Sequence, residues 1–406
     1  PTVNAVSNQT VCATANTTAV AFGSATTGTT YSWTNNTPSI GLAASGTGDI
    51  AAFAAVNTGN TQVTATISVT PTANGCTGPV RTFTIRVNPR PTVNVLSNQT
   101  LCNGATTTAI SPTGSAVAGT TYGWTNNTTS IGLGASGTGN IAAFTATNTT
   151  AAPVTATITV TPTASSCAGT ARTMTITVNP TPVVTTVTNK TVCHNNTLPA
   201  IAFASTTTGA TYSWTNNDPT IGLAASGTGN IAAFTANNPG TTPVVATVTV
   251  TPTANGCVGA AKTFTITVNP ITTPTISIAS DKPNNAICAA TNTLFTATIT
   301  NGGTTPAYQW KKNGNNVGTN SAIYSDNALV NGDIITCVLT SSIACPGPTA
   351  AITSNAVVMD VEMYVYHSMQ ISSNRPGDTI CNGAMVNFTG TIINGGTAPA
   401  YQWQKN

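Results

Sequence analysis

The sequence predicts an all-β chain of tandem β-sandwich domains, on three observations. Its composition favours strands, one block of residues returns about every 90 positions, and hydrophobic residues alternate with polar ones inside each block. Charged residues make up only 5% of the 406, against roughly 25% in an average soluble protein. Thr, Ala, Asn and Gly take their place, and β-branched Thr, stiff at χ1, suits a pleated strand better than a helix. No run approaches the ~18 apolar residues of a spanning helix, so no membrane span is expected in this segment. A net charge of +3 with no basic stripe, and aromatics not interleaved with Lys or Arg, excludes nucleic acid as a partner.

The repeat is explicit. Tyr31-Ser32-Trp33-Thr34-Asn35-Asn36 returns at Tyr122–Asn127 and Tyr212–Asn217, with the tryptophans 91 and 90 residues apart. Ala44-Ser45-Gly46-Thr47-Gly48 returns at Ala135–Gly139 and Ala225–Gly229, each followed one residue on by Ile-Ala-Ala-Phe. Each copy closes on Val-Asn-Pro, at Val87, Val178 and Val268. A fourth copy of different style carries Tyr308-Gln309-Trp310, and a fifth stops just after Tyr401-Gln402-Trp403. The expected domains are residues 1–90, 91–180, 181–270 and 271–361, with 362–406 a partial, truncated sandwich. Since Pro1 falls inside a linker and the fifth copy ends in mid-core, an internal piece of a longer protein is expected.

Within a copy, Ala65, Ile67 and Val69 share one face of a strand, as do Phe83, Ile85 and Val87 on the next. This period of 2 marks half-buried strands with one wet side. Short strands separated by Gly, Pro and Asn turns, with one Trp per copy, fit a seven-strand sandwich. Tyr31 and Trp33 share a face, and Trp33, Trp124, Trp214, Trp310 and Trp403 are the expected core plugs.

The opening Pro-Thr-Val-Asn…Asn-Gln-Thr-Val-Cys, the Tyr-x-Trp and the closing Asn-Gly-Cys…Phe-Thr-Ile resemble the PKD-like domains of secreted Bacteroidota proteins over residues 1–270. The fourth copy is similar to Ig-like repeats of the same giant surface proteins, through Ile287-Cys288-Ala289, Asn301-Gly302-Gly303-Thr304, Tyr308-Gln309-Trp310-Lys311 and Gly332-Asp333-Ile334-Ile335-Thr336-Cys337. The resemblance implies immunoglobulin-like sandwiches in a rod, export by the type 9 route, and roles in adhesion, gliding or stalk-building. The acidic residues of many PKD domains are largely missing here, and no C-terminal sorting domain is expected within these 406 residues.

Chemistry-bearing motifs are few. Gly46-Thr47-Gly48-Asp49-Ile50-Ala51 fits a dinucleotide fingerprint on paper, but that mechanism needs a helix N-terminus after the turn, and three copies would mean three cofactors. A glycine-containing turn is the better reading, and no cofactor is expected. His194 and His367 stand alone, and His194 replaces Ala13 and Asn103 of the other copies, which points to a surface position. Eight acids over four domains supply neither paired carboxylates nor a calcium site. Asp49 aligns with Asn140 and Asn230, so charge is not required there. No catalytic or metal residue is therefore expected, and the chain is not an enzyme. The sequons at Asn8, Asn98 and Asn189 read as chance in so Asn/Thr-rich a chain. Asp378-Thr379-Ile380 resembles the Bacteroidota O-glycosylation motif, with Thr379 as the acceptor.

Ten regularly placed cysteines indicate disulfides and an oxidising compartment, and no Cys-x-x-Cys pair supports a metal site. Two pairings are open. Pairing within a copy, Cys12–Cys76, Cys102–Cys167 and Cys193–Cys257, closes loops of 64, 65 and 64 residues. Pairing between neighbours, Cys12–Cys167, Cys102–Cys257 and Cys193–Cys345, gives separations of 155, 155 and 152. Strand direction favours the second set. The early cysteine precedes the second strand of a sandwich and the late one follows the sixth, so they sit at opposite ends. A strand of about eight residues spans ~25 Å, whereas a disulfide needs Cα atoms within ~7 Å. The interdomain set leaves Cys337 a buried thiol near Trp310, and Cys76 and Cys288 for domains outside or at the edge of the segment.

Short proline-bearing linkers such as Asn88-Pro89-Arg90-Pro91 stiffen the junctions. A rod on the order of 160–200 Å follows, at ~35–45 Å per sandwich. The expected function is a structural, non-catalytic stalk or fibre segment of a bacterial cell-surface adhesin. A carbohydrate-binding array and the accessory region of a secreted hydrolase are the alternatives. Expected partners are neighbouring domains of the same longer chain and, beyond them, surface polysaccharide or other cell-surface proteins.

Overall fold

The computed structural model describes residues 1–347, 351–363, 365–375, 377 and 379–406. It is all-β, with a succession of immunoglobulin-like sandwiches and, among the described residues, four separate hydrophobic cores. In the first repeat the strands are β1 (Gln9–Cys12), β2 (Thr30–Asn35), β3 (Ser45–Thr47), β4 (Val63–Ala73), β5 (Cys76–Thr77) and β6 (Arg81–Asn88). They form one sheet in the order β1-β6-β4-β2-β3, with β5 continuing the hairpin from β4. β1 runs parallel to β6, and the other pairs are antiparallel.

The second repeat copies this with β7 (Gln99–Cys102), β8 (Thr121–Asn126), β9 (Ser136–Thr138), β10 (Val154–Ala164), β11 (Cys167–Ala168) and β12 (Arg172–Asn179). The third has β13 (Lys190–Cys193), β14 (Thr197–Leu198), β15 (Thr211–Asn216), β16 (Ser226–Thr228), β17 (Phe234–Thr235), β18 (Val244–Ala254), β19 (Cys257–Val258) and β20 (Lys262–Asn269).

The alternation read from the sequence places the core. Ala65, Ile67, Val69, Phe83, Ile85 and Val87 are buried, and Thr66, Ser68, Thr84 and Arg86 stand between them on the other face. The opposing layer is less regular than seven full strands would make it. In the first repeat it is held by the single bridges Val20↔Ile50 and Asn16↔Ala54, and the second repeats them at Ile110↔Ile141 and Thr106↔Thr145. Its segments lack alternation, and side chains take over part of the pairing. Thr17 Oγ1 accepts from the Phe53 amide at 3.1 Å, as Thr107 Oγ1 does from Phe144 at 3.0 Å.

The Ser-Gly-Thr-Gly motif serves the tryptophan. Gly46 lies in β3 opposite Trp33, and a Cβ there would fall 2.2 Å from the indole; Gly137 and Gly227 stand likewise under Trp124 and Trp214. Two residues on, Gly48 takes φ +71° and donates to the Tyr31 carbonyl at 2.9 Å. No helix follows, so the motif has the first glycine in a strand and the second in the turn.

The fourth repeat contains β21 (Thr275–Ser280), β22 (Ala286–Cys288), β23 (Thr293–Thr300), β24 (Ala307–Lys312), β25 (Asn315–Val317), β26 (Ile323–Asp326), β27 (Ile334–Thr340), β28 (Ala351–Thr353), β29 (Val357–Val358) and β30 (Asp360–Glu362). They make a three-stranded sheet β21-β23-β26, a facing sheet β25-β24-β27-β28 with β29 on β27, and the parallel pair β22–β30. The last element is a hairpin of β31 (Ser368–Ser373) and β32 (Phe388–Ile393).

Of the five tryptophans, Trp310 is 0% exposed, Trp33 and Trp214 are buried, and Trp124 is half-buried against its core. Trp403 departs from the expected core role. It is 54% exposed, because beyond Phe388 no described strand packs over it as β27 packs beside Trp310.

Candidate functional site: the junctions between repeats

Among the described residues no three metal-type side chains converge, and no described helix is long and apolar enough to cross a membrane. The structure instead draws six of the sequence-predicted cysteines together in pairs at the junctions between repeats.

Each junction starts where β1 ends beside β6. Cys12 stands opposite Asn88 in the parallel register, and the Ala13 amide donates to the Asn88 carbonyl at 2.9 Å. The next repeat presents the tip of its β10–β11 hairpin. Ser165 and Ser166 both have positive φ, 47° and 62°, which is the left-handed pair a two-residue type I′ turn requires. In the third repeat Asn255 and Gly256 fill the same two places. The cysteine directly after the turn is thereby aimed at the preceding repeat.

Three disulfides result: Cys12–Cys167, Cys102–Cys257 and Cys193–Cys345, with Cα separations of 5.5, 5.6 and 5.6 Å. The Val-Asn-Pro asparagine adds a second tie. Asn88 Nδ2 donates to the Ser165 carbonyl at 3.2 Å, and Asn179 Nδ2 to Asn255 at 2.9 Å. At the third junction the backbone takes over, with the Thr272 amide donating to Cys345 at 3.2 Å and Gly347 to Thr272 at 2.9 Å. One cysteine of each bond, Cys167, Cys257 or Cys345, is buried.

The remaining four cysteines are free. Cys76, Cys288 and Cys381 are exposed, whereas Cys337 is buried opposite Trp310. Burial pushes the Cys337 thiol up to about 11, which withholds the thiolate that reacts. Native protein at pH 8 should therefore take up a maleimide at Cys76, Cys288 and Cys381, and at Cys337 only after unfolding. Mass spectrometry of the labelled peptides reads this directly.

The isolated polar residues have structural partners. His194, expected at the surface, is half-buried, and its Nδ1 accepts from the Asn238 amide at 2.9 Å. Asn103 Oδ1 does the same for Asn148 at 2.8 Å, whereas Ala13 of the first repeat has no side-chain acceptor, so the position requires no imidazole. His367 Nδ1 meets the Asn394 carbonyl. The sequon asparagines Asn8, Asn98 and Asn189 accept from the amides of Thr84, Thr175 and Thr265 at 2.8–2.9 Å. Asp49 accepts from the Phe22 amide at 2.8 Å where Asn230 accepts from Phe203 at 2.9 Å. Thr379 is exposed and donates to the Gly377 carbonyl at 3.1 Å, and Asp378 of its motif lies outside the described residues.

The sequence reading missed one cluster. In the fourth repeat Lys312 Nζ lies 3.0 Å from Asp326 and 3.1 Å from Asp333, and the Tyr324 hydroxyl donates to Asp326 at 2.7 Å. Burial works against the charged forms, but the paired hydrogen bonds outweigh it. Lys312 is held above the ordinary lysine range, and Asp326 and Asp333 below the ordinary carboxylate range. The depressed carboxylates contribute stability above the unfolded carboxylate pKa of ~3.9, lost as pH falls through their folded values. The raised lysine contributes below its unfolded ~10.4, lost as pH rises through its folded value. Denaturant midpoints of the fourth repeat should form a plateau between those limits. In a Lys312→Met variant both flanks should flatten.

A family model described as PKD-like domain matches residues 99–182 and 190–272. No curated protein matches the chain. Among solved structures, "Sidekick-1 immunoglobulin domains 1-5" is 12% identical, with 88% of this chain and 79% of that one covered and a TM-score of 0.28. "Dscam1 isoform 6.9, N-terminal four Ig domains" is 9% identical, over 89% of this chain and 99% of that one, at a TM-score of 0.24.

Proposed function

We propose that residues 1–406 are a structural stalk segment of a bacterial cell-surface adhesin or fibre, non-catalytic and built to hold neighbouring sandwiches together under tension. The observation that carries this reading is the recurrence of one kind of junction, each tying two consecutive repeats covalently. Bonds that cross a domain boundary, spanning 152–155 residues, hold two sandwiches together when a pull would part them, which supports a load-bearing role. Disulfides persist in oxidising surroundings, which supports an extracellular location. The PKD-like match supports the resemblance to secreted Bacteroidota surface proteins, and with it type 9 export and a part in adhesion or gliding. Neighbouring domains are the immediate partners, with surface polysaccharide or other surface proteins beyond them.

A glycan-binding array would use exposed aromatics, and in the first four repeats every Tyr-x-Trp tryptophan is buried or packed against its core. The test is deletion of residues 91–180, which brings Cys12 into register with Cys257. A stalk should shorten by one repeat in scattering, keep a Cys12–Cys257 bond, and show no retention on immobilised glycans before or after. Retention that falls with each repeat removed would establish the array instead. Glycan or peptide turnover by this segment would support the hydrolase reading.

A further inference from the structure

Five cysteines share one local turn. After Cys12, Cys102, Cys193, Cys288 and Cys381 the residue two places on has a positive φ, between 62° and 90°. The amide three places on donates to the cysteine carbonyl at 3.0–3.2 Å. The first three of these cysteines are bonded to the next repeat. Cys288 has the same setting. It stands opposite Glu362 in a parallel pair, and the Ala289 amide donates to Glu362 at 2.8 Å, as Ala13 donates to Asn88 at 2.9 Å. Yet Cys288 is an exposed thiol.

A second, independent feature lies just beyond it. Phe388 and Trp403 are 15 residues apart, like Phe295 and Trp310, and their ring centroids lie 6.5 Å apart against 6.3 Å for the earlier pair. Phe295 and Trp310 are 0% exposed, whereas Phe388 and Trp403 are 59% and 54% exposed. In the fourth repeat β27 provides the missing cover, with Cys337 opposite Trp310 and Ile335 in the same core. The chain then leaves β27 at Thr340 and soon reaches Cys345, the cysteine that bonds Cys193.

We infer that a single partner segment meets both needs: an alternating apolar strand that covers Phe388 and Trp403, followed by a loop cysteine that closes on Cys288. Residues 334–345 are its template, so the partner is polypeptide of this same build rather than a glycan or a small ligand. The inference deepens the stalk reading and rests on it for the junction as the functional unit. It would also fail separately, since glycan retention by the first four repeats would overturn that reading and leave this one standing. Closing the bond oxidises two thiols to one disulfide, and the two electrons and two protons pass to oxidised glutathione or another disulfide of the oxidising compartment.

Asn406 stands where Asn313 stands in the fourth repeat, so the chain extended after Asn406 by a copy of residues 314–361 supplies the segment in place. Non-reducing peptide mapping should find Cys288 bonded to the copied Cys345, and amide exchange over residues 400–404 should slow by at least about tenfold. Changing the copied Cys345 to Ser should keep the slowed exchange and free Cys288. Cys288 still open to alkylation in the covered chain, or bonded to Cys381, would overturn the proposal. A measurement independent of the extension's folding uses a synthetic copy of residues 334–347 with Ser at the Cys337 place, added to the 406-residue protein in glutathione buffer. It should form a mixed disulfide at Cys288 in about tenfold preference over Cys76 and Cys381. Equal distribution among the three thiols would overturn the inference.

Discussion

Pulled from its two ends in the absence of reductant, the chain should extend to only about a quarter of its full contour, and a reducing agent should release the rest. The three staples overlap along the sequence, since Cys102 lies inside the span of Cys12–Cys167 and Cys193 inside that of Cys102–Cys257. Tension entering at residue 1 reaches Cys12, crosses to Cys167, follows the chain to Cys193, crosses to Cys345 and leaves along the remainder. Only residues 1–12, 167–193 and 345–406 lie on that covalent path, roughly 100 residues and ~340 Å when straight, against ~1,400 Å for the whole chain at about 3.4 Å per residue. Pairing within copies would leave every linker on the path and every sandwich free to part from its neighbour. Single-molecule force extension decides this. Contour lengths beyond ~340 Å before reductant, or no gain after it, would refute the staggered arrangement in solution.

The effect comes from bypassing chain and does not depend on how stable each sandwich is. By loop-closure entropy, a bond closing about 155 residues also stabilises by around 5 kcal/mol. Most of that loop here is already folded sandwich, so the entropic gain applies to the fully unfolded chain. The same geometry ties the Asn88 and Asn179 side chains to the hairpin tips, which orients each repeat on its neighbour as well as tethering it.

Much of this was legible in the sequence because each signal was local and repeated. Alternation at Ala65, Ile67 and Val69 stated the buried face directly, and Tyr-x-Trp marked the strand that bears the core tryptophan. The direction of successive strands was enough to favour one pairing of the cysteines over another. What was not legible depended on contacts between distant residues. Gly46 looks like turn punctuation until Trp33 is placed over it. Asn88 looks like part of a linker until Ser165 is found within its reach. Lys312, Asp326 and Asp333 carry no motif, and only the packing of β24 and β26 beside the turn before β27 brings their charges together. The irregular second layer escaped a period-2 reading because its hydrogen bonds run partly through threonine side chains. Trp403 shares the motif of Trp310 but not its burial, because burial comes from the strand that packs beside a tryptophan.

Replacing Trp310 with Ala should destabilise the fourth repeat by about 3–5 kcal/mol, the range for a fully buried aromatic. The indole is 0% exposed, packs with Phe295 and Tyr324 at ring-centroid distances of 6.3 and 5.6 Å, and its Nε1 donates to the Ser321 carbonyl at 2.8 Å. Trp310→Ala therefore opens a cavity between the two sheets and leaves that carbonyl without its donor, each a separate cost. Trp33, Trp124 and Trp214 differ, because their buried Nε1 groups have no hydrogen-bond partner among the described residues. Substituting Phe separates the two contributions. Trp310→Phe should lose the hydrogen bond and part of the packing, whereas Trp214→Phe removes a donor that was unsatisfied and should cost less. Trp403→Ala should leave stability within ~0.5 kcal/mol, as for other exposed positions. Denaturant unfolding of each variant, followed by hydrogen exchange in the affected repeat, supplies the ranking. If Trp310→Ala were as mild as Trp403→Ala, the two-sheet core of the fourth repeat would be wrong. If Trp214→Phe cost as much as Trp310→Phe, the distinction drawn from the indole hydrogen bond would fall.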